Sequence, residues 1–377
     1  MSTQRGRDTE DGESGATGAT GSVVDQERRR GRGALSNVAS RYDTQRGEAF
    51  DDGWDGLADL PPFKTEVRFD NTRTIIARND SPDISFDRSI NPYRGCEHGC
   101  IYCFARPTHC YLGHSAGLDF ETKLYAKPDA AALLERELAN PRYRCETMAI
   151  GTNTDPYQPI EREHRIMRAV LEVLDRYNHP VGIVTKSALI VRDIDILSRM
   201  AERKLAKVAL SVTTLDRKLA RVMEPRASTP PKRLEAVRRL SDAGIPTGVM
   251  VAPIIPALND SEIERILEQA KAAGAISAGY VMLRMPLEIK QLFREWLEAE
   301  FPDRAQRVIH LMQSMHGGRD YTAEFGLRQR GSGPYAAQIG QRFRLALTRL
   351  KLNTEREKLR TDLFRHPVLP GGQLSLL

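Results

Sequence analysis

Between about residue 85 and residue 315 the chain alternates short β-branched runs with amphipathic windows, and no other feature restricts its fold as much. The apolar runs are 87–91, Thr147–Gly151, Val181–Thr185, Val208–Val212, Thr247–Ala252 and Gly279–Leu283. Helical periodicity fills the gaps at Ala130–Leu138, Arg162–Tyr177, Asp193–Arg203, Pro231–Ala243 and Ser261–Ala273. Near-continuous apolar strands separated by helices predict βαβ units around a parallel sheet covered on both faces. Six such units make an α/β fold, either a partial barrel or a doubly wound sheet. In both, the chemistry gathers where the βα loops converge, at the carboxyl ends of the strands.

The flanks read differently. Residues 1–60 hold ten of the 28 glycines and the run RRRGRG at 28–33, a composition that predicts a solvated, disordered basic tail, with Trp54, Leu57 and Leu60 able to dock its end. Residues 61–84 form a short extension, and 316–377 break the alternation with a Gly-rich loop and a basic helix near 338–364. From Arg319 to Arg365 eleven basic residues face five acidic ones, a surplus equal to the +6 of the whole chain. Such a block, with Tyr321, Phe325, Tyr335 and Phe343 interleaved, suits either a nucleic-acid surface or a helical lid over an open barrel. The longest apolar stretch, Gly248–Leu258, contains two prolines and is far shorter than the about 20 residues of a membrane helix. With no basic-then-apolar leader in MSTQRGRDTEDGES, the expectation is a cytoplasmic protein without a membrane partner, and barrel closure favours a monomer.

Four of the five cysteines fall within residues 96–110, which in a cytosolic chain signals a metal or cluster site and not disulfides. NPYRGCEHGCIYCF gives C-x3-C-x2-C through Cys96, Cys100 and Cys103, three soft ligands on one loop after the first strand. A structural zinc would need a fourth ligand, from Cys110, His98 or His109. A four-iron cluster with three protein ligands would leave one iron open. The loop's place at the catalytic edge of the sheet favours the cluster, and Gly95 and Gly99 permit close backbone approach.

This motif, with the aromatic Tyr102 directly before its last cysteine, resembles the signature of the radical S-adenosylmethionine superfamily. The resemblance spans about 85–315, and the six βα units match that superfamily's partial (β/α)6 barrel. GTNTDPYQPIE at 151–161 and TKS at 185–187 resemble its spore photolyase-like branch. The resemblance implies a [4Fe-4S] cluster on Cys96, Cys100 and Cys103, with S-adenosylmethionine chelating the fourth iron. Reductive cleavage of that cofactor would release a 5′-deoxyadenosyl radical that abstracts hydrogen from substrate, fed by an electron donor such as flavodoxin or ferredoxin.

Strand-end residues then acquire candidate roles. Asn153 and Asp155 offer oxygens to the methionyl ammonium and ribose, and Lys186 with Ser187 a partner for the methionyl carboxylate. Ser211 shares one strand face with Thr213, and both point toward the interior. Arg226 in Glu224-Pro225-Arg226 suits a carboxylate or phosphate clamp, or an internal salt bridge. Arg284 is the candidate for an anionic substrate. Tyr102 is the one tyrosine that the likeness to the photolyase relay retains. The family's hydrogen-return cysteine has no counterpart at 150–155, and its tyrosine after the third cysteine is here Phe104. The sequence therefore predicts the radical chemistry without authentic photoproduct repair, on nucleic acid or another macromolecule. The competing class is a non-catalytic, metal-stapled nucleic-acid binder, which has no need of Asn153, Lys186 and Ser211 beside its cysteines.

Overall fold

The computed structural model describes residues 24–43, 62–355 and 358–367. Ten strands run β1 (Glu66–Phe69), β2 (Ile76–Arg78), β3 (Arg88–Ile90), β4 (Tyr93–Arg94), β5 (Lys123–Ala126), β6 (Met148–Ile150), β7 (Val181–Thr185), β8 (Ala206–Ser211), β9 (Thr247–Ile254) and β10 (Ser277–Met282). Seven form one sheet in the order β10-β9-β8-β7-β6-β3-β2. Six of these are parallel and correspond to the six apolar runs; β2 adds to the edge antiparallel to β3, so the 61–84 extension contributes a strand to the main sheet. A small sheet, β1-β5-β4, sits beside it.

The helices cover the sheet for the reason the pattern implied. In Ile166–Arg176, Ile166, Met167, Val170, Leu171, Val173 and Leu174 are buried, an apolar face recurring at three- and four-residue spacing. Arg217–Met223 starts at Asp216, whose carboxylate accepts the N–H groups of Lys218 (2.7 Å) and Leu219 (3.4 Å). Pro230 opens Pro230–Asp242, where a missing N–H costs nothing. Among the described residues no helix is long and apolar enough to cross a membrane.

The flanks depart from expectation. Residues 24–43 lie against the body, with Arg32, Ala34, Leu35 and Ser36 buried, because Arg32 finds carbonyl partners at Glu121 (2.9 Å) and Phe63 (3.0 Å). Trp54, Leu57 and Leu60 lie outside the described residues. The basic helix Gly333–Leu350 packs against the helix Ile263–Ala272 and β10, with none of its residues lining the cavity: Arg342 pairs with Glu264, Arg349 with Glu268, and buried Phe343 meets Tyr280 at 4.7 Å. Those arginines are spent on neighbouring carboxylates, which weakens the nucleic-acid surface expected of this block.

Candidate active site

The loop that carries the three cysteines leaves β4 and ends in the 3-10 helix Arg106–Leu112. Gly95 and Gly99 both have positive φ, and a Cβ on Gly95 would lie 2.9 Å from the Phe120 carbonyl, so no other residue fits there without displacement. Their freedom serves this turn and its contacts with the protein behind it. Backbone bonds tie the loop to the body: Cys96 N–H to the Phe120 carbonyl (2.9 Å), Glu97 N–H to Gln158 (2.8 Å) and Ile101 N–H to the Met223 carbonyl (3.1 Å).

Cys96, Cys100 and Cys103 line one cavity of about 590 Å³ at the carboxyl ends of the strands. Tyr102, Asn153, Asp155, Lys186, Ser211 and Arg284 line it too, so six of the eight strand-end and motif candidates converge on the thiols. Two do not. Ser187 caps the next helical turn, accepting the Leu189 N–H at 3.2 Å. Arg226 forms the internal bridge, 2.9 Å from Glu97, because a buried carboxylate inside the cysteine loop requires a cation.

Asp155 lines the cavity with its oxygens already engaged. It accepts Thr185 Oγ1 (2.7 Å), Tyr157 N–H (2.9 Å) and Lys186 N–H (2.8 Å), and His98 Nδ1 lies 3.4 Å away. Burial opposes its charge, yet His98 and these bonds outweigh it and hold the carboxyl well below the usual range. Asp155 thus organises the loops after β6 and β7 and has little capacity left for a ligand. Lys186 is different: no carboxylate within salt-bridge distance meets its ammonium among the described residues, and Nζ lies 5.7 Å from the Tyr102 ring centroid. Burial works against its charge, but Cys100, Glu224 and Asp155 together raise its pKa.

Behind the cavity is a buried network that sequence reading missed as a unit. Glu224 accepts the Tyr102 hydroxyl and Thr213 Oγ1 (2.7 Å) on one oxygen and pairs with Arg233 on the other. Arg233 also donates to the Ser211 carbonyl (3.0 Å) and the Ser228 carbonyl (2.7 Å). The only advance signal was the charged pair in Glu224-Pro225-Arg226: its internal salt bridge forms, from Arg226 to Glu97, while Glu224 takes Arg233, which the sequence reading did not single out. At the mouth, the Arg284 guanidinium lies 4.8 Å above the half-exposed Phe104 ring and within 3.3 Å of Tyr321 Oη. Arg328 pairs with Asp83, which also accepts the Gly326 N–H, so the β2–β3 turn meets the C-terminal loop across the mouth. Gln329 in that loop accepts the Met282 N–H of β10 at 2.9 Å.

Residues 90–270 match the model of the radical SAM superfamily. The chain belongs to that superfamily. Over 230 residues it is 38% identical to an uncharacterized protein of Mycobacterium tuberculosis (strain ATCC 25618 / H37Rv), covering 60% of this chain and 68% of that one. An uncharacterized protein of Methanocaldococcus jannaschii is 26% identical over 214 residues, 57% of this chain and 76% of the relative. Among solved structures, spore photoproduct lyase complexed with dinucleoside spore photoproduct superposes with a TM-score of 0.53 at 16% identity, covering 75% and 78% of the two chains, a likeness of fold.

Radical SAM membership implies a [4Fe-4S] cluster and S-adenosylmethionine, and the residues present fit both. Three thiols open onto one cavity beside the half-buried Lys186 ammonium, which no carboxylate meets within salt-bridge distance among the described residues. Of the three candidates for the fourth ligand of a closed zinc site, His109 is bonded through Nε2 to the Lys123 carbonyl (2.9 Å) and Cys110 lies outside the cavity, while His98 lines it with Nδ1 3.4 Å from Asp155. Among the described residues no group of three or more His, Cys, Asp and Glu is gathered to hold a single metal ion.

Proposed function

We propose that this radical SAM enzyme holds its cluster on Cys96, Cys100 and Cys103 and seats S-adenosylmethionine against Asn153, Lys186 and Ser211, with a nucleic acid as substrate at the mouth. The observation that carries this reading is one cavity joining the three thiols to strand-end polar groups from four separate strands. When bound, cluster and cofactor supply reductive C–S cleavage and a 5′-deoxyadenosyl radical that abstracts a hydrogen atom; the electron comes from an external reductant of the flavodoxin or ferredoxin kind.

The chain's own residues bind, orient and exclude. Lys186 presents a half-buried ammonium to a carboxylate, a charge-assisted pairing. Tyr102, held by Glu224, turns its ring toward that ammonium, 5.7 Å from Nζ. The apolar walls at Met250, Ala252 and Pro253 suit the flat face of an adenine. At the mouth, Phe104 offers a ring face and Arg284 a cation, the combination that stacks a base and pairs a phosphate.

Replacing Asn153, Lys186 and Ser211 together (Asn153→Ala, Lys186→Met, Ser211→Ala) tests the cofactor half of the reading. Iron content per chain should stay at the wild-type value while S-adenosylmethionine binding is lost. Unchanged affinity would overturn the assignment.

A further inference from the structure

The arginine run at 28–33, read from sequence as part of a solvated tail, ends inside the shell around the cysteine loop. Gly33 and Ala34 donate their N–H groups to the two oxygens of the Glu121 carboxylate, both at 2.9 Å, and Arg32 donates to the Glu121 carbonyl. The same carboxylate pairs with Arg106, and both side chains are completely buried. Arg106 in turn places every remaining donor on a carbonyl: Cys100 (2.9 Å), Gly99 (3.0 Å), Ala116 (3.1 Å) and Gly117 (2.9 Å). Two of those carbonyls belong to the stretch between the first and second thiols. The strap also touches that stretch directly, since a Cβ on Gly33 would lie 1.9 Å from the Gly99 carbonyl oxygen.

We propose that Arg32-Gly33-Ala34, acting through Glu121 and Arg106, is a positioning element that fixes the Gly99–Cys100 segment and with it the Cys100 thiol. This rests on the reading that the three cysteines hold the cluster. Without the strap, the Glu121 carboxylate that anchors Arg106 would lose a backbone donor on each of its oxygens. Outer groups that orient a metal ligand's backbone act on how firmly the metal is held. The coupling is reciprocal: a strap that orders the loop must itself be ordered when the loop is loaded.

The test uses the full wild-type chain, cluster-free and after anaerobic reconstitution with iron and sulfide, by hydrogen–deuterium exchange. The amides of Gly33 and Ala34 should exchange at least about fivefold more slowly in the loaded protein. Gly33→Ala, whose Cβ would meet the Gly99 carbonyl, should release iron to a chelator about 10- to 100-fold faster than wild type and alter the electron paramagnetic resonance signal of the reduced cluster. Should Gly33→Ala fail to fold, the wild-type exchange comparison decides alone. A loaded wild type with unchanged strap exchange and a Gly33→Ala variant that keeps iron as wild type does would overturn the positioning role while leaving the cysteine assignment standing. A wild type that takes up no iron would overturn both.

Discussion

Tyr102 sits inside the cysteine motif, yet its hydroxyl is committed to Glu224, and Glu224 is committed to Arg233. Both charged side chains are essentially without solvent contact, so each is stable only because the other is present. Glu224→Ala should lower the unfolding free energy of the cluster-free chain by about 3–5 kcal/mol, and adding Arg233→Met should restore much of it, measured by urea denaturation. A simple loss that the second replacement worsens would show the two do not act as a pair. The same hydrogen bond bears on reaction outcome. Phe104 follows the third cysteine, residues 150–155 hold no cysteine, and the Tyr102 hydroxyl donates to Glu224, three departures from the spore photolyase-like pattern. The purified, reconstituted enzyme should not rapidly reverse 5-thyminyl-5,6-dihydrothymine; rapid reversal would contradict this account. Residue types were legible from the motif, but partners were not: nothing in local spacing distinguishes Arg226, which serves Glu97, from Arg233, which serves Glu224.

At the scale of elements, the six parallel strands and their helices follow the sequence pattern closely, because apolar periodicity is set by the burial it reports. The flanking elements do not, since their order comes from long-range polar contacts that leave no periodic trace. The Gly333–Leu350 helix shows the difference: Arg342 and Arg349 look like part of a polyanion surface in sequence and are ion-paired to Glu264 and Glu268 in the fold. Arg342→Gln should cost up to about 1 kcal/mol of stability, as partly exposed pairs do, and leave affinity for single-stranded nucleic acid unchanged. Arg284→Gln at the mouth should instead weaken that affinity and flatten its salt dependence. Equal losses from both variants, in a filter-binding titration across salt concentrations, would return the nucleic-acid surface to the helix.

For the whole molecule, acid sensitivity follows from histidines buried uncharged. His179 is enclosed, accepts or donates with Tyr143 Oη at 2.8 Å, and burial lowers its pKa from 6.5 to about 4; His109 is lowered to about 4 for the same first reason. The unfolded chain takes up these protons near pH 6.5 and the native chain only near pH 4, so stability falls as pH drops through that window and levels below it. The loss should be about 3 kcal/mol for His179, and His179→Gln should remove that part of the pH dependence of the denaturation midpoint. An unchanged acid limb in the variant would place the sensitivity elsewhere. The fold class, the cavity's position and six of its candidate residues were readable in advance because strand order brings successive carboxyl ends to one mouth. The strap at 24–43 and the clasp between Asp83 and Arg328 were not, since each joins segments far apart in sequence through a few polar contacts that leave no local pattern.

The central claim is that the three thiols and the strand-end groups form one radical-generating site. Its most direct test is anaerobic: reconstitute with iron and sulfide, reduce with dithionite, add S-adenosylmethionine and quantify 5′-deoxyadenosine in wild type and in Cys100→Ala. The account predicts product from wild type and none from the variant. No product from a wild type that instead retains one zinc per chain would contradict it.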